Sequence, residues 1–341
     1  MYSGGILLLS HDARGLGSFR RQCKIAAALR ELAPHIPLLL ATSCELPAPD
    51  CVHVLPLPHA DDHQTRGPLL LRYVQEFQPR AILIDKHPFG VRMDFKAGLQ
   101  WAQAHGIPCF YGLRDILDHP DRVRAEWLDI LPVIERFFAR VLIYGERTIF
   151  DVAQYGLPLG HLVYCGYVCR EPIGQAGSDG VLCTVGAGDS NLANHVLRAF
   201  DDISLNETTT IVTGPFNSQP PQRHISPRIV NYCPNMDRLW STHRAVVCLG
   251  GYNTLVEALT YGLHIVCVPR IEPRLEQLVR ATLFASRGWL HCIHPEELCA
   301  AILKDRLATP LSPTPLPSLD GARQAARTLL HEAGLHPQVV S

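Results

Sequence analysis

AVVCLGGYNTLVEALTYGLHIVCVPRIEPRLEQ, residues 245–277, is the stretch that decides the fold. It opens with the apolar run 245–249, which predicts a buried parallel strand. Gly250 and Gly251 end that run, and a helical pattern begins at Asn253. A second apolar run follows and ends at a proline. The stretch is therefore a strand–helix–strand unit with glycines where the first strand meets the helix, as in α/β proteins.

The chemistry of this turn favours an anion. Glycines let the backbone approach a ligand closely, and the N–H groups and dipole at a helix start attract negative charge. Glu257 lies one turn into the helix, and Glu276 with Gln277 opens the next helix. A tight turn in an ordinary α/β unit explains the same glycines, so the pattern alone leaves both interpretations open.

A second glycine turn supports the phosphate interpretation. Residues 184–191 read Thr-Val-Gly-Ala-Gly-Asp-Ser-Asn and also join a predicted strand to a helix. Gly186 and Gly188 allow close backbone approach, while Ser190 and Asn191 offer groups that can contact an oxygen. Both turns follow neighbouring predicted strands, where open α/β sheets bind ligands. Together they favour a diphosphate.

Composition excludes several other classes of protein. The chain has 341 residues, 47% hydrophobic and 18% charged, which suits two domains with large cores. Its formal net charge of -1 gives no reason to expect nucleic acid. The 12 cysteines form no CxxC pair and the 17 histidines are scattered along the chain, so we expect no metal and no cofactor. Without a signal peptide or an apolar run of membrane length, a cytoplasmic protein is expected.

Strand and helix signals alternate along both halves of the chain. This alternation predicts parallel, doubly wound sheets of the α/β class, and a glycine- and proline-rich connector at 155–177 separates the halves. We expect an N-terminal Rossmann-like domain at 1–167 and a C-terminal one at 168–318. A last helix within 319–341 would cross back to the first domain.

The first half offers candidate proton acceptors. His11 and Asp12 lie in a loop after the first strand, and Asp85 and Asp115 follow two further strands. Each side chain has the chemistry of a general base, although loop polar residues are more often structural. The sequence does not choose among the four.

Motifs spread over almost the whole chain resemble GT-B glycosyltransferases, which pair two Rossmann-like domains across a cleft. The chain resembles in particular a group of predicted bacterial glycosyltransferases. These are related to the peptidoglycan enzyme that adds N-acetylglucosamine to a lipid-linked precursor, a family 28 type of enzyme. The matching segments are Leu16-Gly17, Arg20-Arg21, Asp85-Lys86, Pro88-Phe89-Gly90, Arg114-Asp115-Ile116-Leu117, Gly186-Ala187-Gly188-Asp189, Thr213-Gly214-Pro215, Gly250 to Thr254 and Pro269-Arg270.

The resemblance implies a nucleotide-diphosphate sugar, UDP-linked, held by the C-terminal domain. Glu257 would bind the ribose, a role that also suits a carboxylate facing two vicinal hydroxyls. The residues that would contact the diphosphate are Gly186, Ala187, Gly188, Ser190, Asn191, Gly250, Gly251, Tyr252, Asn253 and Thr254. Tyr232 and Cys233 would contact the base, and Glu276 and Gln277 would contact the sugar. Arg270 and Arg170 would complete the donor site.

The resemblance further implies an inverting, metal-independent transfer, with the acceptor in the N-terminal domain. The acceptor loop would include Gly15, Gly17 and Ser18. Members of the group usually have Leu-Gly-His before the paired arginines, whereas this chain has Ser18 in the place of that histidine. A serine without a base partner is a poor proton acceptor, so the base would be one of the four candidates above.

We therefore expect a glycosyltransferase acting on a small natural product or a lipid-linked acceptor. One alternative is a nucleotide-sugar hydrolase or epimerase on the same fold, which would consume the donor without an acceptor. Another is a non-catalytic sugar-nucleotide-binding subunit, which would bind nucleotide without turnover. We expect a monomer or homodimer. Peripheral membrane contact through 69–72 and 127–138 stays open, although buried helix faces explain those apolar residues more simply.

Overall fold

The protein is described from a computed structural model of the chain. The described residues are 4–10, 16–171, 174–178, 180–186, 190–203, 208–214, 228–230, 233 and 235–335. The chain divides into two compact units. The first comprises Met1–Asp115, Pro120–Arg170 and Ser318–Ser341, and the second comprises Ile116–His119 and Glu171–Pro317.

The first unit is built on a seven-stranded parallel sheet. Its strands are β1 Ile6–Ser10, β2 Leu38–Thr42, β3 His53–Pro56, β4 Ala81–Asp85, β5 Cys109–Arg114, β6 Arg140–Tyr144 and β7 Leu162–Tyr164. Its helices are α1 Gly17–Leu32, α2 His63–Phe77, α3 Lys96–Ala104, α4 Pro120–Glu126 and α5 Leu131–Phe137. The strand order is β3-β2-β1-β4-β5-β6-β7. All pairs are parallel, but the order in which the chain adds strands changes from one side of the sheet to the other between β1 and β4. This is a doubly wound Rossmann-like order, as the sequence predicts.

The second unit repeats the plan with a six-stranded parallel sheet. Its strands are β8 Val181–Thr184, β9 Thr209–Val212, β10 Arg228–Val230, β11 Ala245–Cys248, β12 His264–Cys267 and β13 His291–Cys292. Its helices are α6 Ser190–Asp201, α7 Asp237–Thr242, α8 Tyr252–Tyr261, α9 Glu276–Ala285 and α10 Ala300–Ala308. The order β10-β9-β8-β11-β12-β13 reverses between β8 and β11.

Apolar strands explain why both sheets lie inside their units. Every residue of β1, β2, β4, β8 and β11 is buried, as expected for parallel strands covered on both faces. On one face of the second sheet, Val247 and Val266 pack with Val196 and Phe200 of α6 in a single apolar cluster. The strand-period and helix-period patterns therefore place the core correctly.

The last helix, α11 Gly321–Glu332, belongs to the first unit and packs on α1. Arg323 pairs with Glu31 of α1 at 3.6 Å, and Arg140 of β6 donates to Glu332 at 3.0 Å. Its buried face is rich in alanine, including Ala325 and Ala326, which permits close helix packing. The chain thus returns to its first unit after completing the second.

Two features differ from the sequence-based expectation. The segment interpreted as a connector contains β7, which pairs in parallel with β6 and completes the first sheet. Three residues are too few for periodicity to separate a strand from a loop. In addition, Ile116–His119, an inserted tetrapeptide from the first half of the chain, belongs to the second unit. Within the described part of the chain, no helix is long and apolar enough to cross a membrane.

Candidate active site

Two glycine turns leave adjoining strands of the second sheet. Thr184, the last residue of β8, is in register with Cys248, the last residue of β11, and the two strands run in parallel. The order of the sheet reverses between these strands. In open α/β sheets, ligands bind outside the carboxyl ends of the strands at such a reversal. The turns that begin at Gly186 and Gly250 therefore flank the place where a ligand is expected.

Gly250 is fixed by both conformation and space. Its φ of +79° is in the left-handed region, and a Cβ there would lie 2.9 Å from Cys267 Sγ and 3.5 Å from Gln277 Cβ. Burial raises the pKa of the Cys267 thiol well above its usual range, so the thiol stays protonated and packs as a small apolar group. A larger residue at 250 would push the turn away from the strand end.

The start of α8 presents backbone N–H groups at this edge. Gly251 precedes the helix with extended backbone, and its carbonyl accepts from the N–H of Leu255 at 3.0 Å. The N–H groups of Tyr252, Asn253 and Thr254 lie ahead of that bond, at the positive end of the helix dipole. This arrangement suits a phosphate oxygen.

Glu257 is oriented by a tryptophan of the preceding helix. Trp240 of α7 is buried, and its indole Nε1–H donates to Glu257 Oε2 at 3.3 Å. A second bond, from Tyr261 Oη to Asp237 Oδ1 at 2.8 Å, ties the same two helices together. The carboxylate is partly exposed, and the bond from Trp240 sets its orientation. The sequence does not predict the contact between Trp240 and Glu257, because Trp240 stands out there only as an apolar residue.

The first turn of α9 packs beside the Gly250 turn. Glu276 and Gln277 are buried, and Gln277 Oε1 accepts from the backbone N–H of Arg270 at 3.1 Å. The guanidinium of Arg270 lies 4.0 Å from Glu276 Oε1, and its Nε has no hydrogen-bond partner among the described residues. Four of the predicted donor-site residues, Gly250 included, therefore lie close together.

The remaining predicted donor residues are less informative. Ala187, Gly188 and Tyr232 lie outside the described residues, and Ser190 begins α6. The backbone of Gly186 has a φ of +61°, and Asn191 is exposed in the first turn of α6. The thiol of Cys233 donates to the carbonyl of Asn235 at 2.8 Å, and Arg170 is an exposed residue of the first unit. Their roles stay predictions.

In the first unit, the corresponding reversal holds a buried ion pair. Asp85 ends β4 with no exposed surface, and both of its oxygens accept from Arg21 of α1. The Arg21 Nε–Asp85 Oδ2 distance is 2.9 Å, and the Nη2–Oδ1 distance is 2.7 Å. Both oxygens of this carboxylate are occupied by one guanidinium, so the geometry favours a structural role over proton transfer.

The other candidates in the first unit divide between described and undescribed residues. Asp115 is buried, and its Oδ2 accepts from Tyr167 Oη at 3.1 Å. His11, Asp12 and Gly15 lie outside the described residues.

The predicted acceptor loop is shorter than expected, because α1 begins at Gly17. Gly17 and Ser18 therefore belong to the first turn of α1. Ser18 is buried there together with Phe19. The Ser18 hydroxyl is buried and has no hydrogen-bond partner among the described residues. Among those residues, no cluster of His, Cys, Asp and Glu side chains is arranged to hold a metal ion.

Comparison with known proteins adds the family context. Residues 181–316 match the family described as glycosyltransferase family 28 C-terminal domain. The chain is also similar in structure to a glycotransferase of kitacinnamycin, with a TM-score of 0.63, 14% identity, and 97% and 96% of the two chains covered. No curated protein matches the sequence.

Two further structures were solved with ligands. Phytolacca americana UGT2, complexed with UDP-2fluoro-glucose and pterostilbene, has a TM-score of 0.60 and 12% identity, with 100% and 96% of the chains covered. The spinosyn rhamnosyltransferase SpnG, complexed with thymidine diphosphate, has a TM-score of 0.59 and 16% identity, with 98% and 97% covered. These likenesses confirm the predicted GT-B fold.

The buried pair makes a direct prediction about Asp85. Asp85→Ala leaves the Arg21 guanidinium buried without its counter-charge, which costs about 3–5 kcal/mol. We expect the unfolding temperature of the first unit to fall by roughly 6–20 °C in a thermal denaturation scan. Asp121→Ala is the matched control, because Asp121 is an exposed carboxylate that pairs with Arg124 in the same helix. Asp85→Ala protein that melts like wild type but has lost activity would instead restore Asp85 as a base.

Proposed function

We propose that this chain, a glycosyltransferase of the GT-B fold whose second unit contains a family 28 C-terminal domain, transfers a sugar from a nucleotide-diphosphate donor to a small-molecule acceptor. The observation that supports it is the pair of glycine turns at the adjoining ends of β8 and β11. The carboxylate and amide groups needed for a ribose and a sugar lie in the helices that follow. A diphosphate, a ribose and a sugar are the three parts of such a donor.

Within this proposal, the diphosphate binds at the starts of α6 and α8, where backbone N–H groups and helix dipoles oppose its charge. Glu257, oriented by Trp240, accepts hydrogen bonds from the ribose hydroxyls. Glu276 and Gln277 contact the sugar. Gln277 Oε1 is already used by the Arg270 backbone, so its amide N–H groups are the ones that face a sugar hydroxyl.

The proposed ribose contact favours UDP over thymidine diphosphate. A carboxylate binds a vicinal diol through two hydrogen bonds, and the deoxyribose of thymidine diphosphate lacks the 2′-hydroxyl. Both nucleotides occur among the similar structures, so the fold accommodates either. Those structures also motivate a small-molecule acceptor, since one was solved with pterostilbene.

The transfer itself is one displacement with inversion. The acceptor oxygen bonds to C1 of the sugar as the bond between C1 and the diphosphate oxygen breaks, and the acceptor proton passes to a base. The developing negative charge falls on the diphosphate, where the N–H groups at the start of α8 stabilise it without any need for a metal. Preorganised donors of this kind act on the transition state more strongly than on the ground state.

We assign the base to His11 or Asp12. Arg21 occupies both oxygens of Asp85, and Tyr167 occupies one oxygen of Asp115. His11 and Asp12 follow β1, one of the two strands at the order reversal of the first sheet. All 12 cysteines are free thiols, which supports a cytoplasmic, reducing location.

The donor proposal predicts a specific loss at Glu257. Wild-type protein should bind UDP more tightly than 2′-deoxy-UDP in isothermal calorimetry, because only UDP offers both hydroxyls. Glu257→Ala removes a charged acceptor worth about 1.5–3 kcal/mol, so UDP binding should weaken roughly 10- to 150-fold. The preference for UDP over its deoxy form should disappear with it.

Glu296→Ala is the matched control, because the Glu296 side chain is exposed in the same unit. Glu257→Gln separates binding from packing, since its amide oxygen still accepts from Trp240. Unchanged UDP affinity in Glu257→Ala, or no discrimination between the two nucleotides by the wild type, would refute the proposed ribose contact.

The base assignment predicts which variant loses the chemical step. His11→Gln or Asp12→Asn should lower kcat by about 10²- to 10⁴-fold with UDP affinity unchanged, because only proton transfer is removed. Steady-state kinetics against a panel of hydroxylated acceptors, with calorimetry for UDP, would measure both quantities. If neither variant slows transfer, the base lies elsewhere, and Asp115→Asn is then the next variant to test.

A further inference from the structure

The inserted tetrapeptide Ile116–His119 is fastened to the first turn of α9. Asp118 is only 1% exposed, and its Oδ1 accepts from the backbone N–H of Leu275 at 3.2 Å. Its Oδ2 accepts from Arg274 Nη1 at 3.3 Å. Leu275 and Arg274 are the two residues before α9. The carboxylate therefore holds the point at which this helix begins.

A second contact joins the same tetrapeptide to both helices of the candidate site. Arg280 of α9 is fully buried, and its Nη2 donates to the carbonyl of Ile116 at 3.2 Å. Its guanidinium carbon lies 5.4 Å from the ring centroid of Tyr252, the first residue of α8. The main chain of the tetrapeptide is thus linked to α8 through Arg280, while the Asp118 side chain accepts hydrogen bonds from the start of α9.

We propose that Asp118 is a positioning residue for the sugar end of the donor site. The inference rests on the proposed function, in which Glu276 and Gln277 contact the sugar. These two residues directly follow Leu275, whose backbone N–H donates to Asp118. This hydrogen bond therefore sets their distance from the sugar. The diphosphate contacts depend on other bonds, including the one from Leu255 to Gly251 at the start of α8.

This separation gives Asp118 a signature that a general stabilising role lacks. Without its carboxylate, the start of α9 loses two hydrogen bonds and the counter-charge of Arg274, and its first turn can shift. A shift of about 1 Å at a positioning contact is enough to weaken recognition strongly. The loss falls on the sugar, while the start of α8 continues to hold the diphosphate.

The experiment compares UDP with UDP-glucose and UDP-N-acetylglucosamine in calorimetry, using the full chain. For each protein, the ratio of the UDP dissociation constant to that of the tighter UDP-sugar measures what the sugar adds. We expect Asp118→Ala to bind UDP with a dissociation constant within about twofold of wild type. Its ratio of dissociation constants, UDP over UDP-sugar, should fall about tenfold. Asp121→Ala, which removes an exposed carboxylate three residues further on, should keep both values.

Asp118→Asn is the second variant, because its amide oxygen still accepts from Leu275 while its contact with Arg274 is lost. It should fold even if Asp118→Ala does not, and its ratio of UDP to UDP-sugar dissociation constants should fall about threefold. An unchanged sugar ratio, or equal losses for UDP and UDP-sugar, would overturn the inference. Wild-type protein that binds UDP without gain from any sugar would overturn it too, whereas wild-type protein that binds neither UDP nor UDP-sugar would refute the proposed function itself.

Discussion

The parallel pairing of β8 with β11 is the constraint on which the second unit depends. Because both strands run in the same direction and end in register at Thr184 and Cys248, the chain must leave both at one edge. The reversal of strand order at this point sends the two following helices to opposite faces of the sheet, which opens a crevice between their starts. Backbone geometry, before any side chain acts, thus provides a place for an anion.

Side chains then fix the surroundings of that place. Gly250 brings the turn against Cys267 and Gln277, and Trp240 fixes one oxygen of Glu257. In the first turn of α9, Gln277 Oε1 accepts a hydrogen bond from the backbone N–H of Arg270. These contacts hold the Gly250 turn, Glu257 and Gln277 in place.

The sequence predicts the features that are local. Apolar runs locate most strands, glycines mark the turns, and Glu257 lies one turn beyond Gly251. The α/β class and the candidate phosphate and ribose residues therefore come from short-range patterns. The features it misses come from residues far apart in the chain. Arg21 meets Asp85 across 64 positions, and Trp240 meets Glu257 across 17, with no periodicity to signal either contact.

The tetrapeptide 116–119 is the clearest case of a long-range feature. Its sequence, Ile-Leu-Asp-His, looks like an ordinary loop after β5, yet Asp118 bonds to Leu275, 157 residues away. The matching motif Arg114-Asp115-Ile116-Leu117 overlaps the tetrapeptide, yet the candidate site residue taken from it is Asp115, one residue before the tetrapeptide. Contacts of this kind are set by the topology of the whole chain, and one sequence contains no pattern that reports them.

The most direct test of this account is a crystal structure of the chain with UDP-2-fluoro-glucose, a donor analogue that resists transfer. We expect the diphosphate at the N–H groups of Tyr252–Thr254, the ribose hydroxyls on Glu257, and the sugar hydroxyls within hydrogen-bond distance of Glu276 or Gln277. A nucleotide bound away from the ends of β8 and β11, or a sugar out of reach of α9, would contradict it.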